Sequence, residues 1–176
     1  MQKKIASETI YNGVIFDMTH DIIEMDNGKQ YPRDVIHHNG GVGVLVQKDN
    51  KVLLVKQYRY AVQEYTWEIP AGKLEKNEDP YTCGIRELEE ECGLGCKSMD
   101  LICEMYSTPG FCTEKIYIYK ANHLKIIENP RPMDEDEDIT SQWFTIEETL
   151  KMISELKIKD AKTMIALQYA YINKAV

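Results

Sequence analysis

The chain has 176 residues and a net charge of −8, with a pI near 5.1, a length that supports one good core and a small appendage. The acidic balance argues against an extended nucleic-acid surface, and it means that any anionic ligand would have to be received through locally placed positive charge. The N-terminus MQKKIASETI has no apolar targeting core and no run approaches roughly 18 apolar residues, so the sequence points away from membranes and to a soluble, cytoplasmic protein.

Taken in chain order, residues 1–38 stand apart from the rest. Segments 9–18 and 20–25 alternate apolar and polar residues and predict two strands, and Asn27-Gly28 is a strong hairpin turn into a third at 29–37. Pro32 places that third strand at an edge or a bulge. Three short strands cannot bury a core alone, so residues 1–38 form a small N-terminal β-domain that must pack on something, ahead of a main domain at 39–176. Strands are expected at 41–47 and 51–57, joined by the Asp49-Asn50 turn, then near 101–107 and 115–121, and a short one at 141–144 after the acidic, Pro-containing stretch 129–138. Thr145 and Glu148 read as a capping box opening a helix to about 156. Asp160 can cap a last helix with Ala161, Met164, Ile165, Leu167, Tyr171 and Ile172 on its apolar side. Strands interleaved with few helices give an α+β fold, a mixed sheet covered by helices. The five cysteines (Cys83, Cys92, Cys96, Cys103 and Cys112) show neither CxxC nor zinc spacing and read as reduced thiols.

Residues 72–94, GKLEKNEDPYTCGIRELEEECGL, carry most of the chemistry. Asp79 is a good N-cap, Pro80 suits the first helical position, and Gly93 suits the left-handed position that ends a helix. Tyr81, Ile85, Leu88 and Cys92 form an apolar stripe, and Gly84 lets another backbone approach. Glu87, Glu90 and Glu91 stand at i, i+3 and i+4, on one face. Three carboxylates there repel unless a cation sits between them, and hard divalent ions favour such an all-oxygen environment. Arg86 and Glu90 are also i, i+4 partners, so an internal ion pair can hold one glutamate.

This segment resembles the Nudix signature at each fixed position: Gly72, Glu78, Arg86, Glu87, Leu88, Glu90, Glu91, Gly93 and Leu94 fill it without a departure. The resemblance implies an αβα sandwich and hydrolysis of a nucleoside diphosphate linked to another group, with magnesium, or manganese in its place, held by this helix. Metal ions neutralise phosphoryl oxygens, lower the pKa of bound water and orient attack. Glu87 and Glu91 are implied as principal ligands with Glu90 beside them, and a backbone carbonyl near Ala71 as a further one. Glu78 and Arg86 are implied to brace the loop against the helix.

Along nearly its whole length the chain looks like the ADP-ribose pyrophosphatase branch of that family, on VKQYRY (55–60), WEIPAGKLE (67–75), STPGF (107–111) and DAKTMIALQY (160–169). That branch carries a proline sixteen residues beyond the last signature glycine, which here is Pro109; proline stiffens a loop by fixing φ. Arg59 and Glu68 match substrate-contacting positions. Arg59 offers phosphate a planar fork of donors, and Glu68 either accepts hydrogen bonds from ribose or adenine or braces the loop. Family members clamp adenine between aromatic rings from the N-terminal strands of two subunits. Phe16, Tyr31 and Arg33 stand near those positions, whereas Trp67 and Trp143 read as core or interface. The branch forms homodimers by exchanging such a segment, which implies a dimer with shared active sites. It also carries a glutamate on a mobile loop, and registering on Asp138-Ile139 puts Glu135 there, with Glu137 as neighbour or substitute and Glu90 as the fallback base.

The expected activity is therefore magnesium-dependent hydrolysis of ADP-ribose to AMP and ribose 5-phosphate. Another nucleoside diphosphate sugar or related compound is the nearest alternative, and a non-catalytic ADP-ribose sensor belongs to a different class. The complete carboxylates at 87, 90 and 91 speak against a pure sensor. An acidic interaction protein has little beyond pI to recommend it.

Overall fold

The computed structural model describes residues 1–133 and 138–173. They divide into two compact units: Met1–Gly40 with Met105–Ile116, and Gly41–Glu104 with Tyr117–Val176.

In the first unit, β1 (Gln2–Asn12), β2 (Phe16–Met25) and β3 (Gln30–His38) form an antiparallel meander in that order. The expected strand at 9–18 is instead cut in two, because the chain turns at Gly13. There Asn12 Nδ2 donates to Asp17 Oδ1 at 2.8 Å, and the Gly13 N–H donates to the Phe16 carbonyl at 3.2 Å. Residues 2–8 then extend β1, which alternation alone did not reveal because β1 is exposed along its whole length. Asn27-Gly28 turns as expected, with Gly28 at φ 76° and the Asn27 side chain accepting from the Lys29 N–H. Pro32 lies on β3, an outer strand of this sheet, where its missing donor is tolerated. The loop around Pro109 is stitched to β3. The Ile36 N–H donates to the Phe111 carbonyl at 2.7 Å, the Thr113 N–H donates to the Ile36 carbonyl at 2.9 Å, and Ile36 and Cys112 make a parallel bridge.

In the second unit, β4 (Gly41–Lys48) and β5 (Lys51–Arg59) form an antiparallel hairpin. Asp49 and Asn50 both have positive φ, 48° and 60°, the conformation a two-residue hairpin turn needs. The chain returns along β5 as β6 (Glu64–Glu68) and along β4 as β7 (Ala71–Lys73). Neither was legible in the sequence: β6 has only five residues and β7 three, too short for alternation to register. Then come α1 (Pro80–Cys92), β8 (Leu94–Gly95), β9 (Ser98–Tyr106), β10 (Lys115–Asn122), β11 (Lys125–Ile126), β12 (Thr140–Thr145), α2 (Ile146–Ser154) and α3 (Ala161–Ile172). The main sheet runs β12-β5-β4-β10-β9, giving the mixed sheet with few helices that was expected. β4 is buried along most of its length, which places it centrally.

The core of this unit joins Val44, Val46, Leu53, Leu88, Met99 and Ala121, so α1 packs its Leu88 side onto the sheet. Gly84 allows this approach, but what it admits are side chains rather than backbone. A Cβ there would lie 3.0 Å from Met99 Cε and 3.3 Å from Val42 Cγ2. All five cysteines are free thiols, and burial pushes the Cys83 and Cys92 thiols above their usual range, as befits packing residues. Among the described residues, no helix is long and apolar enough to cross a membrane.

Candidate active site

The signature helix is built as its sequence dictates. Asp79 accepts from the Thr82 N–H at 2.9 Å, Pro80 opens the helix, and Gly93 closes it at φ 63° with its N–H on the Glu89 carbonyl. The glutamate side of α1 is not a solvated face. Glu87 is 8% exposed and Glu91 7%, both covered on the side where β7 runs. The Ala71 N–H donates to Glu91 Oε2 at 2.9 Å. Gly72 has no side chain because Glu87 fills the space: an ideal Cβ there would sit 1.8 Å from Glu87 Oε1.

Arg86 organises the other carboxylates. Its Nη1 lies 2.7 Å from Glu87 Oε1 and 2.8 Å from Glu90 Oε2, while Nε and Nη2 donate to the two oxygens of Glu78 at 3.1 and 3.3 Å. Burial opposes the Arg86 charge, but the Glu78 hydrogen bonds and the Glu87 charge outweigh it and hold the guanidinium well above its ordinary pKa. Glu78 and Arg86 thus tie the loop to the helix. The sequence put three carboxylates together around a cation. The structure draws Glu87 and Glu90 onto Arg86 and Glu91 onto β7, and among the described residues no three His, Cys, Asp or Glu side chains meet in a ready-made metal site. In donor chemistry the residues do fit a hard divalent ion. Three carboxylates share one guanidinium, so negative charge is in excess in a buried setting.

A second charged cluster lies where β5, β6 and α3 meet. Arg59 grips Glu68 with two parallel bonds, Nε to Oε1 and Nη2 to Oε2, both 2.8 Å. Thr66 Oγ1 adds a bond to Oε1 at 2.6 Å, and Lys162 Nζ one to Oε2 at 2.5 Å. Glu68 is 3% exposed. Its burial raises the cost of its charge, yet Arg59 and Lys162 more than offset this and lower its pKa to about 2. Of the two roles open to Glu68 in the sequence, this geometry is that of a brace. Arg59 is raised from its usual value first by the Glu68 hydrogen bonds, with the charges of Glu91 and Asp160 adding, which links it electrostatically to the signature helix. Its Nη1 has no partner among the described residues, and the side chain is 42% exposed. Two residues earlier on the same strand, Gln57 is buried with its Nε2 unpartnered among the described residues.

Lys162 and Thr163 are the residues that sequence reasoning left without a role. Thr163 Oγ1 accepts from the Ile69 N–H at 2.9 Å and bonds Asp160 Oδ2, so the capped start of α3 docks directly onto the strand end that carries Glu68. The signal was present, because DAKT resembles an N-cap box, but its tertiary partner lies about ninety residues earlier.

The remaining expected residues fall elsewhere. Arg33 and Pro109 belong to the first unit, where Arg33 Nη1 donates to the Pro32 carbonyl. Phe16 and Tyr31 are partly exposed on that unit's sheet, and Phe16 packs on Tyr11 with ring centroids 5.5 Å apart. Trp67 packs edge-on against Phe144, while Trp143 is partly exposed. Glu135 and Glu137 lie outside the described residues.

Fold and signature together define a Nudix-type domain, and the chain belongs to this family: the NUDIX domain pattern matches residues 37–167. It is 39% identical to the ADP-ribose pyrophosphatase of Bacillus subtilis (strain 168), over 99% of this chain and 95% of the relative. It is equally similar, with the same coverage, to the methanol dehydrogenase activator of Bacillus methanolicus. Among solved structures it resembles a crystal structure of an ADP compounds hydrolase, with a TM-score of 0.86 over 99% of this chain and 97% of that one, at 19% identity, a likeness of fold.

Proposed function

We propose that this chain is a Nudix pyrophosphohydrolase that cuts ADP-ribose to AMP and ribose 5-phosphate. The observation that carries the reading is the burial of Glu87 and Glu91 against β7, with the partly free Arg59 guanidinium under the influence of Glu91. The similarity to an ADP-ribose pyrophosphatase over nearly the whole chain supports the substrate. Nudix hydrolases use divalent ions; magnesium, or manganese in its place, would be held by Glu87, Glu91, Glu90 and the Ala71 carbonyl, and would supply charge neutralisation and an activated water.

The chain's own residues do the rest. Arg86 and Glu78 fix the helix against its loop, so that Glu87 and Glu91 keep one place. Arg59, oriented by Glu68, presents its remaining Nη1 donors to a phosphoryl oxygen. Glu135, or Glu137 in its stead, accepts the proton of the attacking water as its oxygen bonds to phosphorus and the bridging P–O bond breaks. Pro109 and Arg33 are assigned to substrate contact. A second reading, action on a partner enzyme, is favoured by the name of the Bacillus methanolicus relative; it is compatible with hydrolysis.

The deciding experiment is a panel of nucleoside diphosphate compounds with magnesium, products resolved by chromatography. ADP-ribose should be the preferred substrate, giving AMP and ribose 5-phosphate. Preference for another sugar nucleotide would replace the substrate, and no turnover of any would remove the enzymatic reading.

We also propose a cytoplasmic homodimer assembled through the N-terminal sheet by segment exchange. β1 supports this, because it is exposed throughout and displays Ile5, Ile10 and Tyr11. Light scattering of the intact chain should give a dimer; a fully active monomer would overturn this assembly.

A further inference from the structure

We propose that Lys162 is a positioning residue that fixes the phosphate-facing orientation of Arg59 by locking the carboxylate of Glu68. The proposal rests on the reading that Arg59 meets the pyrophosphate. Lys162 never faces substrate in this role, since its side chain is only 11% exposed.

Each oxygen of Glu68 receives two donors: Oε1 takes Arg59 Nε and Thr66 Oγ1, and Oε2 takes Arg59 Nη2 and Lys162 Nζ. A carboxylate held in this way cannot rotate without breaking several charge-assisted bonds. The guanidinium is planar, so a fixed carboxylate fixes its plane, and the free Nη1 edge then points one way. The same Lys162 Nζ is also held by a second carboxylate, 3.0 Å from Asp160 Oδ1. Asp160 is held in turn by the Thr163 N–H and hydroxyl as the cap of α3. The start of α3 therefore acts as a strut, and its rigidity reaches Arg59 through two carboxylates and one ammonium.

A lysine suits this place better than an arginine would. Its compact ammonium has three rotatable donors and can bridge the carboxylates of Glu68 and Asp160, whereas a planar fork matches one carboxylate at a time. Without it, Glu68 keeps a single cationic partner in a buried site, and one side of its carboxylate is released.

Steady-state kinetics on ADP-ribose test the idea. Lys162→Met should raise KM by about tenfold and leave kcat within about twofold, because a displaced Arg59 loses binding common to ground and transition states. In an Arg59→Lys background the same change should add little further, since both act through one interaction. Lys162→Arg should recover part of the lost affinity. If Lys162→Met does not fold, Lys162→Gln, whose shorter and uncharged side chain stays polar but removes the cationic bridge, carries the test. A lower melting temperature with unchanged KM, or full additivity with Arg59→Lys, would overturn the positioning role and leave the substrate reading intact. A wild-type chain that leaves ADP-ribose uncut sinks the substrate reading first, and the role of Lys162 falls with it.

Discussion

The Glu87 carboxylate occupies the volume that a side chain at residue 72 would need, with Oε1 at 1.8 Å from an ideal Cβ. A glycine in β7 and a glutamate two turns into α1 are thus one steric unit. The obstructing atoms end a flexible side chain, so Gly72→Ala should fold while displacing Glu87. We expect a melting temperature within a few degrees of wild type and a loss of turnover of about 10²-fold or more. Unchanged turnover would show that the position of Glu87 is not critical.

Glu87→Gln and Glu91→Gln test the same carboxylates by charge rather than place. Both substitutions preserve shape, and each should cut kcat by about 10²–10⁴-fold at saturating magnesium with folding retained. Glu91→Gln keeps an oxygen for the Ala71 N–H, so its loss cannot be ascribed to a broken strand contact. Near-wild-type rates in both would refute the metal-face assignment.

The Glu68 cluster predicts an acid limb of stability. Folding lowers this carboxyl from 4.5 to about 2, so its contribution is fully present above about pH 4.5 and is lost as pH falls towards about 2. Glu68→Gln should be less stable near neutrality and should show a flatter dependence of its urea midpoint across that window. Parallel acid limbs in the two proteins would mean that other carboxylates dominate.

Glu135→Gln should lower kcat by about 10²–10⁴-fold with little change in KM, and Asp134→Asn should do little. Loss on Glu137→Gln alone would shift the base by two residues. Full activity in both would move it to Glu90.

Much of this was legible because it is local. Asp79, Pro80 and Gly93 set the ends of α1, Thr145 and Glu148 close their capping box, and Asp49-Asn50 turns with both φ positive, each on information within four residues. The carboxylates could be placed on α1 and the Arg86–Glu90 pair read from its i, i+4 spacing, but the strand neighbours of Glu87 and Glu91 could not. Burial of Glu87 and Glu91 follows from β7, a three-residue strand with no periodic signal. The bracing of Arg59 by Lys162 needs α3 brought against β6, a contact between residues roughly a hundred positions apart that spacing does not encode. The error at Gly13 was of another kind. The alternation across 9–18 runs straight through the turn, because the Asn12–Asp17 bond that makes it leaves no mark on the spacing of apolar residues.

The pairing of β12 with β5, Thr140 against Lys56 through Thr145 against Lys51, sets an order of events during synthesis. The β1–β3 meander joins neighbours through short turns and can form early, as can the β4–β5 hairpin with β6. β5 waits for its outer neighbour until more than eighty further residues have been made, and α3, which secures Glu68, follows later still. On a ribosome the chain should therefore carry an open strand edge for most of its elongation, and chaperone footprinting of stalled chains should find β5 shielded only after residue 145 has emerged. The charged cluster is then the last part of the molecule to be completed, and its formation reports that synthesis has reached the end of the fold.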